Sequence, residues 1–187
     1  MRAILFALII WCATPAFACH IGDLADVPPA LRTENWLGKR WCEECQTDHY
    51  GGSCVHASFS TVLYYHGLDD MGDWWRQTYE AGEYADRMVR RVRESGLPFA
   101  YTDTGSVEFL EWCSRNRLPC IIWWKQSHCC TIVDLNDEYA VIIDNNHPEE
   151  YEYVPRNEFI HRWQNWYDGF ALTVVRPPPP PTPIPWR

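Results

Sequence analysis

Apolar positions recur every three or four residues in the first half of the chain and run in short blocks in the second, so two kinds of element are expected. Val55, Phe59, Val62 and Leu63 share one face of a helix that starts at Cys54 and runs to about His66, with Gly67 as its stop signal. A second helix is predicted from Asp69 or Asp70 through Tyr79. A third, Tyr84 to Glu94, gathers Met88, Val89 and Val92 on one side and ends at Ser95-Gly96. A fourth begins near Ser106, an N-cap residue, and carries Phe109, Leu110, Trp112 and Cys113 before Pro119.

After Pro119 the period changes. Cys120 to Trp124, Cys130 to Leu135 and Tyr139 to Asp144 read as strands, the last two joined by a short turn at Asn136-Asp137-Glu138. Tyr151 to Val154 and Phe170 to Val175 add strands, with a short amphipathic helix, Asn157 to Trp163, between them. Helices first and an antiparallel sheet second define an α+β domain. No internal repeat is visible.

The ends differ from this body. Arg2, the apolar run Ala3 to Trp11 and the small-x-small Ala16-Phe17-Ala18 read as a secretory signal peptide over 1–18, so the exported or periplasmic chain starts at Cys19. A lipoprotein acylated at Cys19 is the weaker reading, because Ala16 and Phe17 fit a lipobox poorly. The apolar run is too short to span a bilayer, so no membrane insertion is expected after signal cleavage. An irregular N-terminal arm covers 19–45, with Pro28-Pro29 within it. At the other end 177–187 is rich in proline, expected as extended polyproline II and best read as a stiff spacer.

Composition narrows the class. The 187 residues fit one domain, and 47% hydrophobic against 22% charged residues is a globular balance. A net charge of -9 argues against a nucleic-acid binder, which needs a basic stripe against phosphates. Arg90, Arg91 and Arg93 lie among carboxylates on a solvated helix face and make no partner site.

Of the nine cysteines Cys12 leaves with the signal. Cys42-Glu43-Glu44-Cys45 has the gap of a zinc knuckle or redox pair, and Cys129-Cys130 could add two sulfurs. A structural disulfide is preferred over zinc, since the second pair lacks the usual gap.

Cys54 carries the chemistry. It follows Gly51-Gly52-Ser53 and opens a helix, where free N–H groups and the helix dipole favour thiolate over thiol, against an ordinary thiol value of about 8.5. A nucleophilic cysteine needs a base and a group to orient that base. His128 stands at the start of the Cys130 strand, and the tight turn after Leu135 brings the far end of the next strand beside it. Asp144 or Asn145 can then hydrogen-bond the imidazole. A lone cysteine is more often a core residue than a nucleophile, and only the joint pattern favours a site. His56 reads as a packed or surface histidine. Trp74-Trp75 and Trp123-Trp124, whose neighbours face different ways, read as core and cleft lining.

Gly51-Gly52-Ser53-Cys54-Val55-His56-Ala57-Ser58, Ser127-His128, Ala140 to Asn146, Glu158 to Trp163 and Gly169-Phe170-Ala171-Leu172 together resemble the papain-like cysteine peptidases. They resemble most the branch of bacteriocin leader peptidases that cut after double glycine. The resemblance covers about Gln46 to Val175 and implies a peptidase-like domain over 46–176. It implies Cys54 as nucleophile, His128 as general base and acid, Asp144 as the orienting residue with Asn145 in reserve, and no cofactor or metal. Gln46, the only glutamine nearby, is carried across as the oxyanion donor although it lies farther ahead of Cys54 than in the family pattern. The reading is an exported thiol hydrolase of peptide or amide bonds acting on a peptide or protein substrate. Its alternatives are a catalytically silent relative that binds a peptide or cell-envelope partner, and a disulfide- or zinc-stabilised module with Cys54 merely buried.

Overall fold

The computed structural model describes residues 25–35, 39–42, 47–50 and 53–175. The signal segment, Cys19, Cys45, Gln46, Gly51-Gly52 and the proline-rich end lie outside the described residues. The chain enters as an arm with one 3-10 turn, Pro29–Leu31, followed by strands β1 (Lys39–Cys42) and β2 (Thr47–Tyr50). These pair antiparallel, Lys39 opposite Tyr50 and Cys42 opposite Thr47. Too polar to show strand periodicity, they were not expected from sequence, and they straddle the division drawn before Gln46.

Helices α1 (Cys54–Tyr65), α2 (Asp69–Thr78) and α3 (Ala85–Glu94) follow, within one or two residues of the predicted bounds. Gly67, at φ 70°, takes the left-handed turn that ends α1. Strand β3 (Phe99–Thr102) comes next, then α4 (Val107–Arg115), whose Ser106 cap accepts the Phe109 N–H at 3.2 Å. Strands β4 (Cys120–Trp123), β5 (Cys129–Leu135), β6 (Tyr139–Ile143) and β7 (Glu152–Pro155), helix α5 (Arg156–Trp166) and strand β8 (Ala171–Val174) complete the chain. The turn between β5 and β6 is built by Asn136, whose side-chain oxygen accepts from Glu138 N at 2.9 Å and Tyr139 N at 2.8 Å.

Six strands form one antiparallel sheet in the order β3-β8-β4-β5-β6-β7. The fold is α+β, as expected, but the helices divide between both faces of the sheet. Alternation along each strand decides which face a side chain serves. Ile121, Cys129 and Leu172 pack with Val55, Phe59, Val62 and Leu63 of α1, Trp75 of α2 and Met88 and Val92 of α3. Their neighbours Ile122, Cys130 and Ala171 pack on the opposite face with Leu110 of α4 and Phe159 and Trp163 of α5. Ala25 and Val27 of the arm cover Val133, Val141 and Ile143. Trp75 is fully buried and Trp74 is 47% exposed, while Trp123 and Trp124 serve opposite faces, so adjacent tryptophans do point apart.

Cys54, Cys113, Cys120, Cys129 and Cys130 are free thiols, so no disulfide joins the described cysteine side chains. Cys129 and Cys130, on opposite faces, cannot converge as a pair on one ion with Cys42 and Cys45. That removes the four-sulfur zinc reading.

No helix among the described residues is long and apolar enough to cross a membrane.

Candidate active site

Cys54 is the first residue of α1 and 7% exposed. As the first helical residue its N–H has no acceptor within the helix. Ten of the twelve residues of α1, Cys54 to Leu63, are buried, so the sulfur is carried on a helix that cannot shift without disturbing the core. His128 precedes β5, and its carbonyl accepts the Trp124 N–H at 3.0 Å, closing the turn from β4. Within that turn Lys125 and Ser127 adopt φ 65° and 56°, left-handed values that side chains other than glycine take reluctantly.

The imidazole Nε2 lies 2.8 Å from Oδ1 of Asp144, just beyond the end of β6. That leaves Nδ1 for a sulfur, and the thiols of Cys54 and Cys130 both help to hold a proton on the ring. Asn145, next to Asp144, bonds Cys54 O at 2.9 Å and Cys129 O at 2.8 Å, which sets the head of α1 against the residue after His128. The three residues implied as nucleophile, base and orienting acid are therefore brought together. Gln46 lies outside the described residues.

Asp144 is held from three sides. Besides His128, Lys125 Nζ donates to its Oδ2 at 2.7 Å and the Asn146 N–H to its Oδ1 at 3.0 Å. Lys125 Nζ also donates to Glu152 at 2.9 Å, so the ammonium bridges two carboxylates. Burial opposes the Asp144 charge, yet the hydrogen bonds from His128, Lys125 and Asn146 hold its carboxyl well below the ordinary 3.8. Burial likewise opposes charge on His128, but the hydrogen bond to Asp144, helped by Cys130 and Cys54, raises it from 6.5 to about 12.

The linkage signs follow. The raised imidazole contributes stability that is full below pH 6.5 and is lost as pH climbs toward about 12. The depressed carboxyl contributes above 3.8 and is lost as pH falls below it. The urea midpoint of the protein, relative to His128→Gln, is expected to be highest between these limits and to fall steadily through the alkaline range. A difference that grows above pH 7 would contradict the ion pair.

Asn145, the reserve for the third role, faces elsewhere. Its side-chain amide reaches Cys54 O at 2.9 Å, Ser58 Oγ at 2.7 Å and Cys129 O at 2.8 Å, two N–H groups among three acceptors. It ties the head of α1 to β5. Asn145→Ala would remove these bonds between α1 and β5, and about 1–3 kcal/mol of stability is expected to be lost in urea unfolding.

Around this core lies a polar chain that sequence reading missed. Asn35 of the arm donates its N–H to Asn145 O at 2.7 Å and its side-chain amide to Asn146 Oδ1 at 2.9 Å. The buried Arg76 of α2 donates to Ser53 Oγ at 2.6 Å and to Glu34 O at 3.1 Å. The residue ahead of the thiol is thereby gripped by a guanidinium. Nothing local in the sequence marks Asn35, Arg76 or Lys125, since their partners are remote in the chain.

His56 is packed, as one of its two readings held. It accepts from Trp75 Nε1 at 3.0 Å and stacks on Tyr79, and burial, with Arg91 and Arg76, lowers it to about 3. Arg91 departs from the solvated-face reading: it pairs with the buried Glu83 and lies 4.3 Å over the Tyr79 ring.

No family model and no curated protein matches this chain. Among solved structures, a double-glycine-motif protease from an AMS/PCAT transporter, in complex with the leader peptide, is similar to it. The two are 20% identical, the match covers 77% of this chain and 94% of that one, and the TM-score is 0.48.

Proposed function

We propose that this protein is an exported papain-like cysteine peptidase that hydrolyses peptide or amide bonds through an acyl-enzyme on Cys54. The observation that carries the reading is the imidazole of His128, fixed to Asp144 at 2.8 Å, with the thiol-bearing head of a buried helix tied beside it through Asn145. Fold resemblance alone would not carry it.

In this mechanism the Cys54 sulfur, as a thiolate paired with the imidazolium of His128, attacks the substrate carbonyl. The developing oxyanion points to the Cys54 N–H, with Gln46 as the second donor implied by the family pattern. The imidazolium then protonates the leaving amine, and the C–N bond breaks to leave a thioester. Water, deprotonated by His128, attacks that thioester and returns the thiol. Asp144 keeps one edge of the ring engaged so that the other faces sulfur throughout. Export follows from the signal-like Arg2 to Ala18 segment.

The test is covalent capture. A peptidyl electrophile is expected to add one equivalent to Cys54, read by mass spectrometry of the digested protein, and a peptide library is expected to be cleaved. Addition to Cys54 with no cleavage would leave a peptide-binding relative. No addition while the fold is intact would sink the enzyme.

A further inference from the structure

A second thiol serves the same imidazole, and the reaction proposed above has no use for it. Cys130 lies two positions after His128, which stands just ahead of β5. The Cys130 sulfur, a ring nitrogen of His128 and a carboxylate oxygen of Asp144 all lie within 4.8 Å of one another. Cys130 is fully buried, while the His128 and Asp144 side chains keep 12% and 9% exposure, so the group is walled by core on one side and opens to solvent on the other.

One nitrogen, one sulfur and one carboxylate oxygen are the donors of a borderline divalent cation; calcium and magnesium take oxygen alone. Bonds of about 2.0–2.3 Å to such an ion put tetrahedral ligands roughly 3.3–3.8 Å apart. The contacts to sulfur need to close by about 1.5 Å at most, and the 2.8 Å His128–Asp144 contact needs to open by about 0.5 Å, both within the reach of side-chain rotation. Glu152 can hold the Lys125 ammonium at 2.9 Å once Asp144 turns to the ion.

We propose that Cys130, His128 and Asp144 form a site for zinc or a similar borderline divalent cation, and that its occupancy silences the peptidase. On binding, the Cys130 thiol and the ring nitrogen release their protons to solvent, and the hydrogen bond between His128 and Asp144 gives way to two bonds to the ion. The metal then occupies the ring lone pair and the carboxylate that proton transfer requires. Silencing rests on the peptidase reading; metal binding does not.

Cobalt(II) is the probe, because a thiolate ligand gives it a charge-transfer band. The full chain carrying Cys54→Ala, stripped with chelator, is expected to develop that band on titration and to lose it to added zinc. Cys130→Ala in the same background is expected to remove it. Asp144→Asn is expected to weaken cobalt binding by about 10- to 100-fold. Should Cys130→Ala fail to fold, His128→Ala, at the solvent side of the group, is expected to abolish the band equally. A band unchanged without Cys130 or without His128, or no band in Cys54→Ala, would overturn the site. In the unmutated protein, micromolar zinc is expected to stop peptide cleavage and chelator to restore it. Binding without inhibition would overturn the silencing alone. A cobalt band in a protein that cleaves nothing even after chelation would sink the peptidase reading and leave the metal site standing.

Discussion

Cys54→Ala is expected to reduce peptide cleavage to background, and His128→Ala to lower it by roughly 10²–10⁴-fold, the usual worth of a positioned acid-base group. Both effects are large because each residue does something that water cannot do in its place. Without the sulfur no thioester forms. Without the imidazole the sulfur keeps its own proton, and the leaving amine departs unprotonated. The same pair can be read without a substrate: iodoacetamide alkylation of Cys54 near neutral pH is expected to be fast, and slowed greatly by His128→Ala. Alkylation of Cys54 that ignores His128 would mean that the two groups do not act together, whatever their separation. Neither substitution should unfold the protein, since the sulfur sits at the head of α1 and the ring at the solvent side of the sheet.

Asp144→Asn is expected to cost about 10²-fold or more in kcat with KM nearly unchanged. The carboxylate accepts from His128 Nε2 and so leaves Nδ1 to deal with sulfur. An amide at the same place can turn its NH₂ to the ring, which favours the tautomer with the proton on the wrong nitrogen. Lys125→Met tests the support behind it. Loss of the ammonium frees Asp144 Oδ2 and removes the bridge to Glu152, so a fall of about 10-fold is expected, with Lys125→Arg restoring much of it. If Asp144→Asn leaves kcat unchanged while Asn145→Ala abolishes it, the roles of the two neighbours have been exchanged.

The main elements were legible because their periods are clean. α3 needs Met88, Val89 and Val92 inward, and all three are buried. The hairpin that brings Asp144 to His128 was readable from its turn, where Asn136 supplies the hydrogen bonds a tight reversal requires. What escaped has physical reasons. β3 is a four-residue edge strand paired only with β8, too short for alternation to register. The order of elements along the chain does not show on which face each helix lies, and a sheet apolar on both faces must be covered on both. Ile121 and Ile122 in succession are the trace of that. The grip of Arg76 on Ser53 and of Asn35 on Asn145 and Asn146 joins residues far apart in sequence, and no local pattern encodes such meetings. Choosing Asp144 over Asn145 beside His128 likewise needed coordinates, because one residue's difference at a strand end decides which side chain faces the ring.

The arm has a kinetic corollary. Its Asn35 is anchored by residues that follow β6, and the sulfur, ring and carboxylate come from three well-separated stretches, so a chain emerging from its N-terminus cannot assemble the centre until most of its length has been delivered. Until then its thiol lacks the neighbours that give it purpose.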